Sequence, residues 1–243
     1  MSYNLEKYKL PDLKKMAQKM GLPLRRSRSE MISDITAAFQ EYEDYKKDKL
    51  DKYSRKHQLG QKGKEGTTYL VVDKHGRELA MKTFRKAKSS RTLKKEYTLQ
   101  KRASEAGISP KVYDYDTVSK YIVMEKMDCH LYEIIEKQKG ILHKYQQKRI
   151  VEIFSKLDEC GVFHNDANIC NYMMKGKDIY IIDFGFAKEI DSRLCKQLGT
   201  RRPNMKLMLL GFILKLKELG LPRESYTVLK RYVTIEDCQR FQL

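Results

Sequence analysis

At 243 residues with 41% hydrophobic side chains, the chain can bury one substantial core and, at ~150 residues per domain, a small companion module, which excludes a disordered polymer. The 50 Lys and Arg outnumber the 32 Asp and Glu, and the net charge of +18 favours acidic partners: nucleic acid, nucleotide phosphates, anionic lipid or an acidic protein. Five scattered cysteines without a CxxC pair exclude a disulfide framework and a structural zinc site, and no apolar run approaches the ~20 residues of a membrane span, so a soluble intracellular protein without a membrane partner is expected.

In chain order, Leu10, Leu13, Ala17 and Met20 recur at helical spacing until Gly21-Leu22-Pro23 breaks the pattern. Ser27 and Glu30 have capping-box spacing, and Met31, Ile32, Ile35 and Phe39 continue as one apolar face, so residues 1–40 read as helix, extended linker, helix. Residues 41–56 are mostly charged and lack Gly and Pro; they read as a solvated helix or a charged linker containing the domain boundary. Beyond them, GTTYLVVD and RELAMKTF flank a KHG turn and predict a hairpin, followed by a helix over 93–105. KYIVMEKM predicts a buried strand, residues 144–160 an amphipathic helix, NYMM and IYIID a second hairpin, and residues 204–219 a final apolar helix.

Chemistry-bearing residues follow the same order. LGQKGKEGTTYL carries Gly60, Gly63 and Gly66, where missing side chains let backbone amides approach phosphates. Ala80-Met81-Lys82 closes the first hairpin, and Lys82 needs an anionic neighbour to hold an extended rotamer toward phosphate oxygens; Glu96 on the next helix is that partner, with Glu105 a less well placed substitute. In VFHNDANICNYMM, Asp166 and Asn171 lie five positions apart, and a buried strand then ends in Asp183-Phe184-Gly185. Asp183 at the strand tip and Asn171 on the neighbouring hairpin supply hard oxygens for magnesium, and Asp166 remains to orient or deprotonate a hydroxyl.

With GxxGxxG, AMK, Glu96, HNDANICN and DFG in order across residues 59–187, the sequence resembles the protein kinase superfamily. The resemblance implies an α+β, two-lobed kinase-like fold with an N-lobe over 57–127 and a C-lobe over 128–243, binding ATP and Mg2+ in the cleft. It also implies Met124 as gatekeeper, Glu125 to Met127 as backbone contacts to adenine, Lys82 on the α- and β-phosphates, Asp183 and Asn171 on magnesium, and Asp166 as catalytic base.

Four departures mark an atypical member. The glycine loop has one extra residue between Gly60 and Gly63, Asn165 replaces the arginine of HRD, and Asn168 stands where a lysine neutralises the transferring phosphate. No APE-like motif follows DFG, so the C-lobe is reduced. This compact form is similar to the kinases of the KEOPS tRNA-modification complex, the RIO kinases, and minimal kinases of large DNA viruses and bacterial pathogens. Residues 1–40 resemble a SAP-type helix-extended-helix module, which implies DNA or chromatin binding through Arg25, Arg26 and Arg28.

The leading expectation is therefore an ATP- and Mg2+-dependent serine/threonine protein kinase, acting on a basic or chromatin-associated protein in nucleus, cytoplasm or a viral replication site, with an activating protein partner completing its substrate groove. A pseudokinase scaffold binding DNA or protein, and a small-molecule phosphotransferase, stand as alternatives.

Overall fold

A computed structural model describes residues 4–61, 63 and 65–243; residues 1–3 of the N-terminal module and residues 62 and 64 of the glycine-rich loop lie outside the described residues. The chain divides between Ser54 and Arg55 into two compact units.

The first unit is a helical pair. A single 3-10 turn, Leu5–Lys7, precedes α1 (Leu10–Lys19), which carries Pro11 in its first turn, where a missing N–H costs no intrahelical bond. Gly21 takes φ +71° and the Leu22 amide returns to the Ala17 carbonyl at 2.9 Å, ending the helix. Ser27 then caps α2 (Arg28–Asp51), its Oγ accepting the Glu30 amide at 3.4 Å. Leu5, Leu13, Ala17, Met31 and Ile35 form the buried core of this unit. Past Phe39 the residues whose burial is described, 40–45, 47 and 48, are exposed, yet the helix runs on to Asp51: the stretch contains no Gly or Pro, and Gln40 bonds Asp44 one turn away at 2.9 Å. The charged stretch is thus helical as far as Asp51 and continues α2 without a break.

The second unit opens with a five-stranded sheet in the order β1-β2-β3-β5-β4, built from β1 (Tyr53–Leu59), β2 (Gly66–Asp73), β3 (Glu78–Phe84), and, after α3 (Ser90–Glu105), β4 (Val112–Asp116) and β5 (Tyr121–Glu125). The β2–β3 hairpin has Leu70 opposite Ala80, and Asp73 fixes its turn by accepting the His75 and Arg77 amides, both at 2.9 Å. Ser89 caps α3 by accepting the Thr92 amide at 3.1 Å, so the helix starts at Ser90, three residues earlier than apolar periodicity alone predicts. The strand β1 was not expected, because YSRKHQL is an edge strand with exposed interior positions and no apolar alternation.

The rest of the unit is mainly helical. It contains β6 (Cys129–His130), α4 (Leu131–Lys137), α5 (Lys144–Glu159), β7 (Val162–Phe163), β8 (Tyr172–Lys175), β9 (Asp178–Ile181), β10 (Lys188–Glu189), α6 (Ser192–Leu198), α7 (Leu209–Glu218) and α8 (Ile235–Arg240). Phe154 of α5, Tyr172 of β8 and Phe212 of α7 meet edge to face, with centroids 6.3, 6.2 and 4.9 Å apart, and centre its core. The expected final helix is present as α7, entered through one π-helical turn over Asn204–Met208. Sheet and helical part together make a mixed α+β unit, as expected for a first lobe built on a sheet and a second lobe that is mainly helical. No helix among the described residues is long and apolar enough to cross a membrane.

Candidate active site

The strand β3 carries Lys82 and the adjacent α3 carries Glu96, whose carboxylate is buried at 2% exposure. Lys82 Nζ donates to Glu96 Oε1 at 2.8 Å and to Asp183 Oδ1 at 2.8 Å. Burial opposes the ammonium charge, but the two carboxylates outweigh it and hold the Lys82 pKa well above its ordinary value. Burial likewise pushes Asp183 up, and the Lys82 charge and hydrogen bond reverse this, leaving its carboxyl below the ordinary carboxylate range. The pairing of Lys82 with Glu96 was legible in the sequence; the junction with Asp183, 101 positions away, is a product of the fold. Glu105 lies elsewhere on α3, paired with Lys101 at 3.9 Å.

Asp183 itself sits in the left-handed backbone region at φ 64°, a conformation that a non-glycine residue adopts at a cost of about 1–3 kcal/mol and that is common at functional sites. The next residues, Phe184–Phe186, form a 3-10 turn. Phe184 is buried and packs edge-on to His164 at 4.9 Å. The fully buried His164 ring lies with Nε2 3.0 Å from the Ile182 carbonyl and Nδ1 3.2 Å from the Asp166 carbonyl, so it bridges the two carboxylate-bearing segments. Burial lowers its pKa and keeps it neutral, with one N–H to donate.

Asp166 is half-buried, and its Oδ1 accepts the Asn168 amide at 3.2 Å. The Asn168 side chain turns back to accept the Cys170 amide at 3.0 Å, capping the 3-10 turn Ile169–Asn171. Asn168 therefore serves the shape of the loop where a lysine would supply charge. Asn171 donates its amide to the Asp166 carbonyl at 3.5 Å and accepts the Ile182 amide on its backbone oxygen at 2.8 Å, which brings it beside the residue preceding Asp183. Asn165 has φ 62°, a region that asparagine tolerates better than most residues, and donates to the Phe186 carbonyl at 3.3 Å.

The three glycines differ. Gly60 takes φ +64° with open space around it, and a Cβ on Gly63 would meet only the Gly66 carbonyl oxygen at 3.5 Å. Gly66 begins β2, and a Cβ there would run into the Thr83 carbonyl of β3, so its small size serves strand pairing. Ala80 and Met124, directly opposite each other in β3 and β5, lie in an apolar cluster with Phe84, Leu93 and Ile122, and Gln100 donates to Met124 Sδ at 3.3 Å. Glu125 donates its amide to the Lys111 carbonyl at 2.8 Å, and Met127 is buried where the chain passes into the second lobe.

Four residues around the site escaped the sequence reading: Lys88, Glu65, Asn204 and Asp158. Lys88, only 7% exposed, bonds both Glu96 and Glu65 of the glycine-rich loop. Asn204, fully buried, accepts the His164 amide at 3.1 Å and donates to Asp158 and the Val162 carbonyl, both at 2.7 Å. Burial raises the Asp158 pKa even though the Asn204 and Met205 amides point at it. Glu65 lies inside the glycine-rich motif but at a position the motif does not specify, and a Lys or Asn in an irregular segment carries no periodic signal. In the first unit, Arg25 pairs with Asp34 at 2.8 Å, and Arg28 bonds the Tyr8 carbonyl at 3.2 Å, the Glu6 carboxylate at 2.9 Å and the Glu6 carbonyl, whereas Arg26 is exposed.

Two curated relatives are similar to part of the chain. The KEOPS complex subunit Bud32 of Pyrococcus abyssi is 30% identical over 123 residues, covering 48% of this chain and 56% of that protein. A probable bifunctional tRNA threonylcarbamoyladenosine biosynthesis protein of Methanocaldococcus jannaschii is 31% identical over 144 residues, covering 55% of this chain and 26% of that protein. The chain thus spans about half the length of the first and about a quarter of the second. Residues 53–202, well over half of the chain, match the protein kinase domain, and the chain belongs to this family of phosphotransferases that use ATP with Mg2+.

Proposed function

We propose that the protein is a serine/threonine protein kinase in which Lys82 binds the α- and β-phosphates of ATP, Asp183 and Asn171 hold Mg2+, and Asp166 takes the proton of the substrate hydroxyl. The observation that carries this reading is the Lys82 ammonium bridging Glu96 and Asp183 at 2.8 Å each, with Asp166 oriented by the Asn168 amide close by. The donor set fits the metal: Asp183 is half-exposed, and Asn171 uses its amide nitrogen internally, which leaves hard oxygens for a small divalent cation. Bound Mg2+ supplies charge neutralisation to the phosphates. Adenine is read by the Glu125 carbonyl and the Met127 backbone, since the Glu125 amide is engaged by Lys111, and Gly60 and Gly63 cover the phosphates.

The kinase reading is preferred to a scaffold because every carboxylate that the chemistry requires is present and hydrogen-bonded in place. The relatives' names favour a second reading, in which the chain is one subunit of an assembly that acts in tRNA modification and needs a protein partner for full activity. Labelled γ-phosphate transfer from Mg-ATP to the protein itself, to basic and acidic proteins, and to a histone panel decides between them. Transfer abolished by both Asp166→Asn and Lys82→Ala, a loss of at least ~100-fold, is expected. ATP hydrolysis without transfer to any protein would overturn the protein-substrate reading and leave the assembly reading.

A further inference from the structure

Five charged groups run in an unbroken chain through the cleft. Glu65 Oε2 accepts Lys88 Nζ at 2.6 Å, Lys88 also bonds Glu96, Glu96 bonds Lys82 at 2.8 Å, and Lys82 bonds Asp183 at 2.8 Å. The chain folds back on itself, because carboxylate oxygens of Glu65, Glu96 and Asp183 all lie within 4.8 Å of one another. The Glu65 carboxylate therefore hangs from the glycine-rich loop to the floor of the site, where a Cβ on Gly185 would be 2.8 Å from its Oε2. Its backbone is fixed from the other side, since the Glu65 carbonyl accepts the Arg85 amide at 3.0 Å.

Three carboxylates against two ammonium groups leave this ring one negative charge in excess, beside the lysine that must receive polyphosphate. An anion entering there meets a like charge in Glu65 and a cation, Lys88, that already holds a carboxylate oxygen in place. Residues 164–171 contain no Lys or Arg, and among the described residues of this cluster the ammonium groups are those of Lys82 and Lys88.

We infer that Glu65 is an internal stand-in for phosphate, and that Lys88 is a second phosphate-contacting lysine which exchanges the Glu65 carboxylate for a terminal phosphate oxygen of the nucleotide. The exchange explains why an ammonium group is held at 7% exposure by a loop carboxylate that is itself 40% exposed: one end of the pair is fixed and the other is free to leave. It also makes Lys88 a specificity residue, because a nucleotide lacking the terminal phosphate reaches Lys82 without displacing Glu65. Opening needs only the loop side chain to swing out, since Glu96 continues to anchor both lysines. This inference rests on the nucleotide site proposed above but not on phosphoryl transfer.

Equilibrium binding of ATP, ADP and adenosine, with and without Mg2+, tests it in the full chain and in the E65Q, K88M, K88R and E65Q/K88M variants, with thermal melting as a check of folding. E65Q is expected to bind ATP several-fold more tightly, and K88M roughly tenfold more weakly, the worth of one charge-assisted hydrogen bond, with adenosine unchanged in both. K88R should recover most of the loss, and E65Q should confer no gain in the K88M background. Equal weakening of ATP and adenosine in K88M would assign Lys88 a purely structural role and overturn the proposal. Weaker ATP binding in E65Q only when Mg2+ is present would make Glu65 a metal ligand and overturn it as well. Absence of any nucleotide binding by the unmodified protein would instead sink the proposed function, so the two failures are distinguishable.

Discussion

Gly66 illustrates how a glycine in a motif can have a different physical reason from the one the motif suggests. Its hydrogen faces the Thr83 carbonyl, so Gly66→Ala must separate the start of β2 from β3. The expected outcome is a destabilisation of at least ~2 kcal/mol by denaturant unfolding, accompanied by weaker nucleotide binding as the loop shifts. Gly60→Ala, although strained by its positive φ, has open space to move into and should be milder. His164 gives a pH prediction. Its folded pKa is lowered by burial, so the unfolded chain takes up a proton below about pH 6.5 that the folded chain refuses, and stability falls as the pH drops through that range. Asp183, also lowered, acts only below about pH 4, where the unfolded carboxylate protonates. Urea midpoints at pH 8 and pH 5 should therefore fall further for the wild type than for His164→Gln.

Among the elements, the turn over Asn204–Met208 matters most for the site, because it delivers one buried amide to three places. Asn204 ties α5 through Asp158, the end of β7 through the Val162 carbonyl, and the catalytic loop through the His164 amide. A π-helical turn is rare and frequent at functional positions, and here it opens the helix at the point where Asn204 must turn inward. Asn204→Ala is expected to cost about 2–4 kcal/mol and to reduce phosphoryl transfer, while Asn204→Asp should be no better tolerated, since it keeps the acceptor for His164 but sets a buried carboxylate against Asp158 and the Val162 carbonyl in place of two donated bonds. Calorimetry alongside transfer rates checks both. The elements that the sequence disclosed were those with a strong period or a capped start, among them α1 and α2, the β2–β3 hairpin, α3, β5, α5, the β8–β9 hairpin and α7. Among those it hid, the short α4, α6 and α8 and the two-residue strands span too few residues to show a period, while β1 and β4 face solvent or alternate charged and aromatic residues, as in VYDYD, where the apolar signal is broken. The candidate site was legible wherever Lys82, Asp166, Asn171 and Asp183 sit in motifs, and silent at Lys88, Glu65 and Asn204, whose partners are defined only by the fold.

For the whole molecule, the +18 charge is not concentrated in the helical pair, and two of the three arginines proposed to meet phosphate are already engaged within that pair. Arg25 ties the linker to α2 through Asp34, and Arg28 ties α2 to the N-terminal turn through Glu6 and the Tyr8 carbonyl, so changing all three arginines to alanine would mix loss of folding with loss of contacts. Arg26 is the clean probe. If the module binds DNA, Arg26→Ala should lower the salt slope of binding by about one counterion and leave the melting temperature unchanged. Unaltered affinity at every salt concentration would assign these residues to packing alone. The boundary between Ser54 and Arg55 makes the experiment possible, since the kinase unit can be assayed with the helical pair removed.

The stretch that follows Phe186 has a further consequence. Lys188 and Glu189 are zipped to Phe163 and Val162, the Ile190 amide bonds the Gly161 carbonyl at 2.9 Å, Arg102 grips Glu189 at 2.8 Å, and Asp191 caps α6 through the Leu194 amide at 2.7 Å. A segment stitched down at every second residue offers a protease no slack, so limited trypsin digestion should spare the bonds after Lys188 and Arg193 while the unit remains folded. It also has no slack for a regulatory kinase to exploit. Phosphorylation therefore finds no loose stretch to order among residues 188–191, and we expect no on-off switch of that kind there.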